Sequence, residues 1–284
     1  MELWFTENHS EFARMSIKVS EHLYGEQSEF QRIDVFESPE FGRFLTLDGL
    51  MMMTEKDEFA YHEMMVHVPM AINPDIREVL IIGAGDGGVV REAAKYKGIT
   101  KMDMVEIDEQ VVDVCRRFLP QTASALDDAR LNIYYQDGLR FIRKAKNEYD
   151  LIIVDSTDAD GPGEGLFTRE FYGNCHTALR GNGILVNQLG SPYYAADAEA
   201  MLRAYGKLQH VFGIHGAYQA HIPTYPSGHW LFGYGAKTFK PTDVSEEWDK
   251  LGIVTKYYNT ELHRGSFALP SYVRDMLAGK TGLS

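Results

Sequence analysis

Residues 79–92 read VLIIGAGDGGVVRE. The run Glu78 to Ile82 is apolar without alternation, as a strand covered on both faces requires, and a helical stretch begins at about Val89. Between them the loop fits G-x-G-x-x-G through Gly83, Gly85 and Gly88. A strand, a glycine turn and a helix in this order open a doubly wound α/β sheet. Glycines there allow a tight turn and the close approach of a ligand to the backbone. Glu106 ends the next strand, 23 residues after Gly83, where an acid can accept hydrogen bonds from ribose hydroxyls. The reading is a nucleoside-type site. A dinucleotide would set its pyrophosphate on the helix N-terminus, where a carboxylate at Asp86 repels it. Asp86 therefore favours a sulfonium ligand, S-adenosylmethionine or its decarboxylated form.

The same rhythm continues outward from the loop. Met102 to Ile107, Leu131 to Gln136, Leu151 to Val154 and Ile184 to Gln188 read as further strands. Helices are expected at about Val89 to Tyr96, Glu109 to Phe118, Leu139 to Lys146 and Arg169 to Leu179. Continuous apolar strands alternating with helices predict a parallel sheet with helices on both faces. Asp137-Gly138 follows the third strand at the ligand-binding edge. There Asp137 can accept from an adenine amino group or cap the helix behind it, and the residues alone leave both open.

Before residue 58 the texture differs. Phe30 to Phe36 (FQRIDVF) and Phe44 to Leu47 (FLTL) are short β-rich runs, and Asp48-Gly49 before Met51 to Thr54 is a two-residue hairpin signal. The expectation is two domains: residues 1–57 a small antiparallel β-domain, residues 58–284 the Rossmann-like unit. At 284 residues the chain is long enough for that division, and 44% hydrophobic content supplies its cores.

Charge and cysteine content narrow the function classes. The net charge of −13 opposes nonspecific binding to a phosphate backbone. Cys115 and Cys175 are too few for a disulfide framework or a zinc cluster and read as packing residues. With no run of about 18 apolar residues and no signal-like N-terminus, a soluble, cytoplasmic protein without membrane contact is expected. His62-Glu63-Met64-Met65-Val66-His67 is one residue too long for H-E-x-x-H: the histidines fall roughly 140° apart on a helix, so no metal is expected. Met51-Met52-Met53 reads as core or pocket lining.

The fourth strand runs into Asp155-Ser156-Thr157-Asp158-Ala159-Asp160-Gly161-Pro162-Gly163-Glu164, with four carboxylates in ten residues and no base before Arg169. Asp160 and Glu164 read as solvated loop acids. Asp155 abuts the buried strand and Asp158 is close enough to converge on the same pocket. Such a pair can hold an ammonium ion and take a proton from it.

Taken in order, YHEMM (61–65), VLIIGAGDGGVVRE (79–92), VEID (105–108), QDG (136–138), DSTD (155–158), GPGEGLF (161–167) and IPTYPSG (222–228) resemble the spermidine synthase family of aminopropyltransferases over nearly the whole chain. The resemblance implies a small N-terminal β-domain and a methyltransferase-type Rossmann-like domain, in a homodimer or homotetramer. It implies transfer of the aminopropyl group of decarboxylated S-adenosylmethionine, a co-substrate, to putrescine, giving spermidine and methylthioadenosine. Through it Gln31, the glycine loop with Gly83 and Gly85, Asp86, Glu106, Asp137, Gly138 and Pro162 become the nucleoside contacts. Tyr61, His62, Asp86, Ser156, Thr157, Asp158 and Tyr225 fall on the amine side, and Asp155 matches the proton acceptor. Ala84 and Ala159 stand where many relatives carry glycine and proline. The alternatives are a preference for agmatine, cadaverine or spermidine, or a methyltransferase using ordinary S-adenosylmethionine. Asp86 opposes the methyltransferase, since the ordinary cofactor would bring its own carboxylate to that loop. A polyamine-binding protein without catalysis leaves Asp155 and Asp158 without a task.

Overall fold

A computed structural model describes residues 2–156 and 164–280. The stretch that decides the fold forms β7 (Glu78–Gly83) and α2 (Gly88–Ala94). Around it stand β8 (Lys101–Glu106), β9 (Leu131–Tyr135), β10 (Tyr149–Asp155) and β11 (Leu179–Gly190), all parallel to it. The sheet order is β12-β13-β11-β10-β7-β8-β9, with β12 (Ile214–His221) and β13 (His229–Ala236) antiparallel. The sheet is thus mixed rather than wholly parallel. The hairpin at its edge went unread because Gly213, Gly216, Gly233 and Gly235 thin the apolar pattern that marks a strand. Strand order reverses at β7, between β8 on one side and β10 on the other, which is where doubly wound sheets bind ligands.

Alternation along β7 shows why its sequence is apolar throughout. Val79 and Ile81 join one core with Met104, Ile153 and Val186, while Leu80 and Ile82 join the other with Ile152, Val154 and Phe171. The helices α3 (Glu109–Phe118), α4 (Gly138–Ile142), α5 (Arg169–Ala178) and α6 (Ala195–Val211) complete the crossovers, and α7 (Thr260–Ser266) and α8 (Ser271–Leu277) follow the last strand. α4 stops at Ile142, short of the expected Lys146. Residues 143–146 tighten into turns, and Asn147 adopts φ 52° so that β10 can begin at Tyr149.

At the N-terminus the single expected sheet is two. β1 (Leu3–Asn8) and β2 (Arg14–Val19) form a hairpin, and β3 (Glu21–Gln27), β4 (Arg32–Ser38), β5 (Gly42–Leu47) and β6 (Leu50–Thr54) form a four-stranded antiparallel sheet. Phe5, Ile17 and Val19 from the hairpin pack on Phe44 and Met51 of the larger sheet. The β5–β6 turn has φ 50° at Asp48 and 80° at Gly49, the two positive values a type I′ turn needs. Next comes α1 (Glu58–Ile72), in which every residue except Phe59 is buried. It packs on α2 and on β10, β11 and β12. Among the described residues no helix is long and apolar enough to cross a membrane.

Candidate active site

The carboxyl ends of β7, β8 and β10 open into a cavity of about 340 Å³. Gln31, Tyr61, His62, Gly83, Gly85, Asp86, Glu106, Asp137, Gly138, Asp155, Ser156 and Tyr225 all line it. Thr157, Asp158 and Pro162, also singled out from sequence, lie outside the described residues, as does Ala159.

The glycine loop sets the geometry. Gly83 has φ 87°, and a Cβ there would fall 1.9 Å from the Asp155 carbonyl oxygen, so this glycine admits the end of β10. Ala84 N–H donates to that carbonyl at 3.0 Å, with Ala84 itself in the left-handed region at φ 65°. A Cβ on Gly85 would meet Val111 and Glu106, and one on Gly88 would fall 2.2 Å from the His62 ring. The three glycines of the motif thus admit a strand end, an acid and an imidazole. Gly83 and Gly85 also face the cavity, where the backbone lies open to a ligand.

At the end of β8, Glu106 accepts from Asp108 N–H at 3.0 Å. Burial raises its carboxyl to about 7, against the pull of the Asp108 and Ile107 N–H groups. Gln31 reaches across from the N-terminal sheet and donates to Asp108 at 3.1 Å, which holds it beside Glu106. Asp137 caps α4, accepting from Leu139 N–H at 2.7 Å, and also faces the cavity.

On the other side, Asp155 accepts from the Tyr61 hydroxyl at 2.6 Å. Burial, then the nearby Asp86 charge, raises the Asp155 carboxyl to about 6. Burial pushes Asp86 up as well, but His62 and the Gly88 N–H outweigh it and lower its pKa. Ligand atoms of His62, Asp86 and Asp155 lie within 4.8 Å of one another, a spacing a metal could bridge. Both nitrogens of the His62 ring already face carboxylates, however: Nδ1 is 2.5 Å from Glu58 and Nε2 is 3.2 Å from Asp86. His67 turns to Glu92 and the Tyr96 hydroxyl, away from that group.

Tyr225 is held over the cavity by a short loop. Its hydroxyl donates to the Met52 carbonyl at 2.5 Å, and its ring lies 4.7 Å from Trp230 and 5.9 Å from Tyr61. The loop closes through Ile222 N–H to the Gly228 carbonyl, with positive φ at Ser227 and Gly228. Buried Asp57 fastens it, accepting from Thr224 N–H at 2.9 Å and from the hydroxyls of Thr224 and Thr54 at 2.8 and 2.6 Å.

Unread in the sequence were further residues of the cavity wall: Glu7 and His9 from the N-terminal hairpin, with Gln188, Asp197 and Trp230. Glu7 is 2% exposed and accepts from Met51 N–H at 2.8 Å. His9 lies 3.0 Å from Asp197. The alternation of LWFTEN, which turns Phe5 and Glu7 to one buried face, was the available signal.

Residues 58–245 match the spermine/spermidine synthase domain, and residues 3–55 match the spermidine synthase tetramerisation domain. A polyamine aminopropyltransferase of Clostridium beijerinckii is 64% identical over 283 residues, covering 99% of this chain and 100% of its own length. One from Alkaliphilus oremlandii is 64% identical over 98% of each chain. A crystal structure of a spermidine synthase in complex with the transition-state analogue AdoDATO superposes with a TM-score of 0.95 at 41% identity, over 97% of this chain and 95% of that one. The spermidine synthase of Thermotoga maritima gives a TM-score of 0.93, also at 41% identity, over 97% of this chain and 94% of its own.

Proposed function

The chain belongs to the spermine/spermidine synthase family, and we propose that it transfers the aminopropyl group of decarboxylated S-adenosylmethionine to putrescine, yielding spermidine and methylthioadenosine. The observation that carries this reading is the disposition of acids in one cavity. Asp86 and Asp155 converge within 4.8 Å at the end of the glycine loop, and Glu7 and Asp197 line the same cavity. A dication with an amine at each end suits such a cavity, and a sulfonium carrying an ammonium tail suits Asp86.

Aliphatic amines have pKa values near 10.4, so putrescine arrives protonated and cannot attack. Asp155 takes the proton from the attacking nitrogen, helped by a carboxyl raised to about 6 that is still ionised at neutral pH. The freed lone pair forms a bond to the aminopropyl carbon attached to sulfur. The carbon–sulfur bond breaks, its electrons go to the sulfonium, and a neutral thioether leaves. Tyr61 orients Asp155 from one side, while Glu106, Gln31 and Asp137 hold the nucleoside. Tyr225 closes the amine side, and Glu7 receives the distal ammonium. Asp158, Thr157 and Pro162 keep the roles that the family resemblance implies. We read the protein as an oligomer, supported by the match of residues 3–55 to a tetramerisation domain and by the exposed Leu3 and Trp4 on β1. The division into residues 1–57 and 58–284 is part of the same proposal.

The amine preference is tested by measuring kcat/KM with decarboxylated S-adenosylmethionine for putrescine, cadaverine, agmatine and spermidine in parallel. Putrescine is expected to lead by at least about tenfold, the effect of about 1.4 kcal/mol. Equal or higher values with another amine overturn the assignment of the acceptor.

A further inference from the structure

Because α1 is buried on nearly every side, any charge it carries must be answered inside the protein. It carries several. Glu58 sits behind the cavity wall and accepts two hydrogen bonds from the Arg91 guanidinium, 2.9 and 2.8 Å, in a forked pair. The same Glu58 lies 2.5 Å from Nδ1 of His62, whose Nε2 lies 3.2 Å from Asp86. Neither Glu58 nor Arg91 lines the cavity.

A neutral imidazole has one N–H and one bare lone pair. With a carboxylate oxygen opposite each nitrogen, the neutral ring would turn its lone pair on one of them at close range; the doubly protonated ring donates to both. Behind Glu58, Arg91 donates onward to Glu92 at 3.0 Å, and Glu92 also meets His67 and Lys95, so the row of alternating charges runs out to an exposed lysine. In front of it stand Asp86 and Asp155. Two carboxylates that close in a dry pocket ordinarily share a proton, and a protonated Asp155 cannot act as a base.

We propose that Glu58 and Arg91 are positioning residues that hold His62 as an imidazolium between Glu58 and Asp86, so that Asp86 and Asp155 are ionised together before either cationic substrate binds. The consequence for turnover rests on the aminopropyl-transfer reading; the charge state of His62 does not. Burial by itself would lower the His62 pKa, but the Asp86 and Glu58 carboxylates outweigh it and raise it well above the usual value. Glu58, although buried, is held down to about 2 by His62 and Arg91. The other titratable groups facing this set are the Tyr61 and Tyr225 hydroxyls, Glu106 at the end of β8 with Asp108 beside it, and Cys115 on α3, and none is a cation that could stand in for His62.

The test is a pH titration of the full-length, substrate-free protein labelled with ¹⁵N-histidine, with His62 assigned through His62→Gln. Both ring nitrogens of His62 are expected to keep their protons beyond pH 8. A neutral His62 ring at pH 7 overturns the proposal, and this arm needs no variant at Glu58. In folded Glu58→Gln the His62 titration should fall by at least about one pH unit, as loss of a neighbouring charge in a buried site implies. The acid limb of kcat/KM should move up correspondingly, lowering activity at pH 6 about fivefold. His62→Gln should move that limb in the same direction, and the double variant should move it no further, because Glu58 acts through His62. An unchanged His62 titration in folded Glu58→Gln, or additive shifts in the double variant, contradicts the proposal. A protonated His62 in a protein that transfers no aminopropyl group to any amine leaves this proposal standing and removes the reaction instead.

Discussion

Gly83 and Asp155 are paired across β7 and β10, and the contact between them decides the site at the residue scale. A methyl group on Gly83 would meet the Asp155 carbonyl at 1.9 Å, and neither a Cβ, which has no rotamer, nor a main-chain oxygen can step aside. Gly83→Ala is therefore expected to push Asp155 out of place and lower kcat by at least about a hundredfold, the low end for loss of a general base. A transfer assay beside a thermal melt checks this; near-normal turnover contradicts it. Asp155→Asn should cost turnover on the same scale, again about a hundredfold or more, while the fold keeps or gains stability, because a carboxyl that burial pushes up to about 6 has been removed. In the unaltered protein kcat/KM should fall on the acid side below about pH 6 as Asp155 takes up its proton. Asp86, Glu106 and Asp155 were legible in sequence because each ends or follows an apolar strand, which fixes where the chain puts it. Glu58 and Arg91 were not: their task is set by what packs on them from another helix, and spacing along the chain carries no trace of it.

At the element scale, α1 illustrates why some structure escapes a periodicity reading. Its sequence EFAYHEMMVHVPMAI is apolar on all sides, so no stripe separates a buried from an exposed face, and its polar residues look misplaced until their partners are known. The Asp48-Gly49 turn, by contrast, was legible from two residues, since the backbone conformation there demands that chemistry. The Ile222 to Gly228 loop lies between these cases: its residues resemble a family motif, but the latch that aims Tyr225 is Asp57, more than 160 residues earlier. Asp57→Ala removes three hydrogen bonds and leaves Thr224 without its acceptor. The expected outcome is a rise in KM for the amine of about tenfold or more, with a smaller change for the sulfonium substrate, if Tyr225 closes the amine side as proposed. Equal rises in both KM values would show that Asp57 supports the fold generally instead of aiming this loop.

For the whole molecule, the relevant quantity is how its charge is distributed. The first 57 residues carry 12 acids and 5 bases, a net −7, and the remaining residues carry −6, so the excess of −13 is mostly solvated surface. A handful of acids are instead kept from water in the cavity, and that costs stability. Glu106 ionises near 4.5 in an unfolded chain but is raised to about 7 in the fold. The unfolded state therefore loses this proton first, and the contribution of Glu106 makes the protein less stable as pH rises from about 4.5 to about 7, by on the order of 3 kcal/mol. Glu58 and Glu92, lowered to about 2, act oppositely and add stability as pH rises through 2 to 4.5. Glu106→Gln should accordingly gain in melting temperature over the unaltered protein as pH is raised from 5 to 8, in the absence of substrate. A difference that does not vary with pH would show that Glu106 is not raised by burial. The fold class was legible at this scale because strands, glycine loop and helices follow each other in strict order. The place of Glu7 in the cavity wall was not, because it comes from the hairpin at the other end of the chain.

In the function proposed above, this cavity brings two cations together and moves a three-carbon amine from one to the other. Mixing the protein with decarboxylated S-adenosylmethionine and putrescine, and following all products by mass spectrometry, tests it most directly. Spermidine and methylthioadenosine are expected in equal amounts, with no methylated product when ordinary S-adenosylmethionine is supplied. An absence of methylthioadenosine with putrescine and every other amine offered, or a methylated amine formed from the ordinary cofactor, would contradict it.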